Sequence, residues 1–171
     1  MAAGQELSST QMVEEGNDKN RFKPQIGFYH LTRTSVQEAL LPLLDRTLSS
    51  DERALICCSD TEELERLDRA LWESPVYFWL PHGSQKTGFA ARQPIWLSAK
   101  AEPPPNGALF LFRIDGANII DVNRFKRVFD LFDGQNEDSV VRARLRWKKL
   151  KQDGFDLTYW KQEPQGWRQA G

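Results

Sequence analysis

Ala54-Leu55-Ile56-Cys57-Cys58 is an unbroken apolar run, and its reading decides the fold. A strand with one wet face alternates apolar and polar residues, whereas one apolar throughout is covered on both faces. The run is therefore a central strand, predicted over residues 53–58, with layers packed above and below it. Its two cysteines are the only ones in the chain. Neighbours on a strand point to opposite faces, so they are not placed to bridge each other and read as small buried hydrophobes in a reducing compartment.

Working outward, Ile26-Gly27-Phe28-Tyr29-His30-Leu31 precedes it as a first strand. Between the two strands, residues 35–48 carry Leu40, Leu41, Leu43, Leu44 and Leu48 and predict a helix, with Pro42 marking a break or kink. A second helix is expected over 61–72, capped by Asp60, with Leu64, Leu67, Leu71 and Trp72 on its apolar side. Strand-helix-strand-helix implies an open three-layer α/β domain with parallel pairing at its centre. Residues 75–93 read as a long connection, 94–98 as a third strand and 102–107 as a Pro-rich loop. Strands are expected at 108–114 and 126–132. A basic helix follows, and residues 155–160 dock as an extended tail. One domain covers 25–161. Residues 1–24 are polar and aperiodic, read as a disordered extension, a misplaced start or an expression remnant, and 162–171 as a frayed tail.

A chain of 171 residues with net charge −1 can bury a sizeable core as a single domain. No apolar stretch approaches membrane-spanning length and no signal peptide is visible, so a cytoplasmic protein without membrane contact is expected. The six Trp are numerous enough that several should face partners.

Enzyme motifs are missing. The first strand-to-helix turn, His30-Leu31-Thr32-Arg33-Thr34, lacks the glycines of a nucleotide-binding loop. Gly83-Ser84-Gln85-Lys86-Thr87-Gly88 imitates a phosphate loop, but Phe89 stands where Lys is required. Two distant histidines and two adjacent cysteines make no metal spacing. His30 ends a strand and reads first as a hydrogen-bonded structural residue, with a base as the minor alternative. Neither a catalytic site, a metal nor a cofactor is expected.

Two features remain. Arg142-Ala143-Arg144-Leu145-Arg146-Trp147-Lys148-Lys149-Leu150-Lys151 holds six of the 23 basic residues and none of the 24 acidic ones. It reads as a helix, with Asp138 and Ser139 as cap residues and Gly154 as terminator. At about 100° per residue, Val140, Ala143, Trp147 and Leu150 share one apolar face, and Val141 and Leu145 a second. Arg144, Lys148 and Lys151 project between the two faces and suit an anionic ligand carrying apolar groups. Arg142, Arg146 and Lys149 lie on the far side as a solvated face. Trp147 is either core or a ligand contact. A direct single-stranded nucleic-acid module, with Trp147 stacking on a base, is the alternative. The second feature is the crowding of Trp72, Pro75, Tyr77, Phe78 and Trp79. Strand alternation buries only half of residues 76–80, leaving the others to the helix cover or to a protein-binding patch anchored by Trp72 and Trp79.

Phe28-Tyr29-His30-Leu31, Leu67-Asp68-Arg69-Ala70-Leu71-Trp72, Phe78-Trp79-Leu80-Pro81-His82, Arg144-Leu145-Arg146-Trp147-Lys148 and Gly154-Phe155, in that order and spacing, resemble the chi subunit family of bacterial DNA polymerase III, part of the clamp-loader assembly. The resemblance runs from about residue 26 to 160. It implies a Rossmann-like sheet without a nucleotide site and a non-catalytic accessory role. It implies binding of the acidic C-terminal tail of single-stranded DNA-binding protein, which ends in apolar residues and a free carboxylate, through Arg144, Trp147 and Lys148, with Lys151 beside them. Trp147 stands where the family often has Tyr. The resemblance further implies a psi-subunit or helicase interface at Trp72, Pro75 and Trp79, and contact with DNA only through partners. The Pro103-Pro104-Pro105 loop and residues 83–93 depart from the family pattern.

Overall fold

The apolar run becomes β2 (Ala54–Cys57), buried at all four positions and flanked by parallel neighbours on both sides. The structure, a computed structural model, describes residues 21–74 and 79–171. Its remaining strands are β1 (Gln25–Leu31), β3 (His82–Ser84), β4 (Ile95–Ser98), β5 (Phe110–Ile114), β6 (Arg127–Asp133), β7 (Leu157–Glu163) and β8 (Gly166–Gln169). They form one sheet in the order β3-β4-β2-β5-β6-β1-β7-β8. Every pairing is parallel except the β7–β8 hairpin.

Helices α1 (Val36–Ser49) and α2 (Thr61–Glu73) cover one face, and α3 (Glu137–Gln152) covers the other. Alternation along the strands divides the core between them. Tyr29, Leu31, Ile56, Phe112, Phe129 and Leu131 pack with Leu40, Leu44 and Leu67. Phe28, Leu55, Leu111, Val128 and Phe132 pack with Ala143. This is the three-layer open α/β arrangement expected from the sequence.

The two cysteines obey the same alternation. Cys57 belongs to the α3 side and Cys58 to the α1/α2 side, both free. Burial pushes the Cys57 thiol up to about 12 and Cys58 higher still. A thiol this buried is not a nucleophile. Ellman's reagent should therefore leave the native protein unlabelled and titrate two thiols in denaturant; rapid labelling of the native protein would contradict the burial.

Local signals explain the helix ends. Ser35 and Glu38 form a reciprocal capping box at α1. The helix runs through Pro42 as one element, so the expected break is not a termination. Asp60 caps α2 as read from sequence. The α3 cap is Asn136, which accepts the Ser139 amide at 3.1 Å, not Asp138 or Ser139. Asp138 instead lies in the first turn, where its charge favours the helix dipole. At the other end Gly154 has φ +88. Its amide donates to Lys151 O and the Phe155 amide to Leu150 O, the paired bonds that close a helix on a left-handed glycine.

Other expectations are corrected. Within the long connection, His82–Ser84 pairs with β4 as an edge strand. The C-terminal tail is not frayed from residue 162, because β8 returns antiparallel along β7. Trp167 on β8 packs edge-on against Tyr29, with centroids 5.2 Å apart. The N-terminal reading over 1–20 lies outside the described residues. Residues 21–24 are already held: the Phe22 amide donates to Asn123 O at 2.6 Å, and Pro24 is buried.

Candidate functional site

A groove opens beside α3 on its sheet-facing side. Helix period brings Val140, Ala143, Arg144 and Trp147 to it from above. The sheet supplies Phe28 from β1, Phe132 from β6 and Tyr159 from β7. The strand order puts those three strands side by side. The hollow holds about 240 Å³ and its walls are mostly apolar. Trp147 is half-buried, meeting Phe28 edge-on at 5.2 Å and Tyr159 at 6.0 Å. It is thus both packed and groove-lining, which merges the two roles that the helical wheel kept apart. Arg144 is exposed at the rim.

The far wall is a hydrogen-bonded pair. The Tyr159 hydroxyl bonds to His30 Nδ1, and the His30 ring stacks on Phe132 with centroids 5.0 Å apart. Burial, then the Lys161 and Arg144 charges, push the imidazole below its ordinary range, against a backbone hydrogen bond at Gly134. Burial likewise pushes the Tyr159 phenol up. The phenol therefore keeps its proton and donates it to a neutral imidazole. Gly134 is required here, since a Cβ would stand 2.2 Å from His30 Nε2 and 2.5 Å from Leu31 O. His30 thus supports the groove wall through hydrogen bonds and packing.

The named cations separate. Lys151 lies over the Trp147 ring, with Nζ 5.9 Å from the centroid. Lys148 is exposed and does not line the groove. The apolar flank is one-sided, because Val141 and Leu145 are exposed. The far-side trio is also not uniformly solvated. Arg142 reaches Asp115 at 3.4 Å and Lys149 reaches Asp153 at 3.2 Å, both at the surface. Arg146 is mostly covered, its side chain 12% exposed, and its Nε and Nη2 donate to both oxygens of Asp130 at 2.9 and 2.7 Å. At about 100° per residue, Arg146 falls within about 60° of both Ala143 and Leu150, so it borders the covered face. The assumption that a charged residue is solvated misplaced it; a buried carboxylate on β6 draws it in.

Trp72 and Trp79 are 67% and 77% exposed and line one hollow of about 340 Å³ with Leu80, Pro81 and His82. Neither is core. Trp72 leans on the buried His82 ring at 4.7 Å. His82 Nδ1 donates to Leu80 O at 2.6 Å, and its Nε2 lies 3.2 Å from Asp68 Oδ1, tying the segment after residue 78 to α2. Pro75, also assigned to this patch, lies outside the described residues.

Sequence reading missed Phe28, Phe132, Tyr159 and the groove-supporting role of His30. Only the alternation of Leu157 and Tyr159 against Thr158 and Trp160 hinted that Tyr159 faces α3. Among the described residues no three His, Cys, Asp or Glu side chains gather as a metal site, and no helix is long and apolar enough to cross a membrane.

Residues 24–158 match the family described as DNA polymerase III chi subunit, HolC. Among individual proteins, the chain is 27% identical over 147 residues to one named "Probable DNA polymerase III subunit chi" from Rickettsia prowazekii (strain Madrid E), covering 81% of this chain and 89% of that protein. It is 28% identical over 127 residues to "DNA polymerase III subunit chi" of Escherichia coli (strain K12), covering 72% of this chain and 84% of the relative.

Proposed function

Because this chain belongs to the DNA polymerase III chi subunit family and so has an accessory role in replication, we propose that it links the clamp-loader complex to single-stranded DNA-binding protein by holding that protein's acidic C-terminal tail in the α3 groove. The observation that carries this reading is a mostly apolar hollow with Arg144 at its rim and Trp147 and Tyr159 as aromatic walls. An apolar terminal side chain fills the hollow while Arg144 meets the terminal carboxylate. Lys151 over Trp147 and the exposed Lys148 draw the tail's preceding acids by longer-range attraction. The protein contributes no chemistry of its own and works in the bacterial cytoplasm.

Titrating a synthetic acidic peptide with apolar last residues and a free carboxylate tests the proposal. Arg144→Ala should weaken binding about tenfold, the loss of one hydrogen bond to a charged group. Added salt should weaken it further. Equal affinities for wild type and variant would remove Arg144 from the site. Direct nucleic-acid binding is the competing reading, and it predicts a low-salt gel shift of a single-stranded oligonucleotide without other protein. It is less favoured because Arg146 is consumed by Asp130, and Arg142 and Lys149 by surface acids. That leaves a narrow phosphate footprint.

The second surface proposed is the Trp72–Trp79 hollow, as the seat of psi or a helicase. Two exposed indoles around one concavity are the kind of anchor that dominates interface energy.

A further inference from the structure

The face of the sheet opposite α3 carries a second cavity that neither proposed surface uses. It holds about 210 Å³ at the end of the sheet where β1, β5 and β6 begin. Tyr29, Phe110, Phe129, Trp160 and Trp167 form an aromatic box, closed on one side by Leu43 of α1. Two guanidiniums border it. Arg127 lies over the Phe129 ring at 4.7 Å and the Phe110 ring at 5.7 Å, and Arg46 comes from the last turn of α1. Both residues are exposed, and neither has an acid within ion-pairing distance among the described residues.

The Tyr29 phenol also lines the cavity. The residue is only 6% exposed, yet its hydroxyl has no hydrogen-bond partner among the described residues. A donor without a protein partner is free to bond a ligand that enters the cavity. The Arg127 and Arg46 charges bear on that hydroxyl and oppose the rise in pKa that its burial causes, and all three side chains line the same cavity. The Thr47 and Ser50 hydroxyls on the rim already donate to Leu43 O and Arg46 O. The groups available to donate are thus the phenol, the Trp167 indole N–H and two guanidiniums, and no acidic side chain lines the cavity.

We propose that this cavity binds the free C-terminal residue of a partner protein, with its apolar or aromatic side chain in the box and its carboxylate on Tyr29, Arg46 and Arg127. Three donors lining one cavity without an acid match a carboxylate in charge and hydrogen-bonding sense. A nucleobase is a poorer match, because its N–H groups would find no carboxylate to accept them. The volume argues for a chain end over a cofactor: small-molecule sites usually span about 300–1,000 Å³, and this one holds a single residue. With both arginines exposed, the preceding chain can trail into solvent. The site shares no residue with the α3 groove and does not depend on the reading of that groove.

The test follows the indole N–H resonances of Trp160 and Trp167 in the 15N-labelled full chain. N-acetylphenylalanine should shift both, and N-acetylphenylalaninamide should leave them in place. Tyr29→Phe, which keeps the ring and removes only the hydroxyl, should weaken the acid about tenfold. Arg46→Ala, at an exposed position, should weaken it as well. Arg144→Ala should change nothing, which keeps the result separate from the α3 groove. Four results would overturn the proposal: no shift with the acid, equal shifts with acid and amide, unchanged binding in Tyr29→Phe, or stronger shifts at these indoles with thymidine monophosphate.

Discussion

Replacing Arg146 by Ala should lower the unfolding free energy by about 3 kcal/mol, and replacing Asp130 by Ala by about 5 kcal/mol, the two ends of the range for breaking a buried ion pair. The order follows from the charges. Asp130 is 1% exposed and lies between two guanidiniums: Arg146 bonds it through both oxygens, and Arg113 Nη1 stands 3.9 Å away. Removing Arg146 leaves Arg113 and Asp130 to neutralise each other. Removing Asp130 leaves two cations facing each other, with the Arg113 and Arg146 side chains only 17% and 12% exposed. Burial already lowers the Arg113 pKa and the Arg146 charge lowers it further, while Asp130 opposes both. Urea denaturation followed by Trp fluorescence measures the difference. An unchanged midpoint in Arg146→Ala would mean that the pair contributes nothing, and a milder effect for Asp130→Ala than for Arg146→Ala would refute the charge ordering.

Arg144→Glu should abolish the proposed binding of the acidic tail peptide, with a loss of about 100-fold or more, and leave the unfolding free energy within about 0.5 kcal/mol of wild type. Arg144 is exposed at the groove rim and makes no ion pair among the described residues, so folding does not depend on it. Reversing its charge would both delete the proposed partner of the terminal carboxylate and place an acid against an acidic ligand. Arg146 lies two positions along the same helix and should behave oppositely, costing stability first and affecting the tail only as α3 loosens. Measuring both variants by denaturation and by peptide titration separates a site residue from a scaffold residue. Retained tail affinity in Arg144→Glu would place the tail elsewhere on the molecule.

These two arginines show where sequence reading ends. Helical period is a local property, so the wheel sorted Val140, Ala143, Trp147 and Leu150 onto one face, and that face packs on the sheet. The sequence reading placed Arg146 on the far, solvated side, although its helical angle borders the covered stripe. Whether a border cation is solvated depends on what the sheet offers, and the sheet offers Asp130. Tyr159 and Phe132 escaped notice for a similar reason: they reach the groove only because β7, β1 and β6 are adjacent. β3 and β8 escaped because short edge strands such as His82-Gly83-Ser84 and Gly166-Trp167-Arg168-Gln169 carry little apolar alternation. They are strands because a neighbour presents a free edge to them.

The apolar run from Ala54 to Cys58, the helix caps at Ser35 and Asp60 and the glycine stop at Gly154 act within a few residues. The sequence by itself therefore determined a central buried strand, alternating helices and the layered α/β class. It also determined that Arg144 and Trp147 lie near each other, since they share a helix. The order of strands decided everything that joins distant segments: the Phe28-Phe132-Tyr159 wall, the Asp130–Arg146 pair and the Tyr29 box. Pairing between strands is set by which edges remain free and which side chains fill the space between layers, and those conditions exist only once the sheet has assembled.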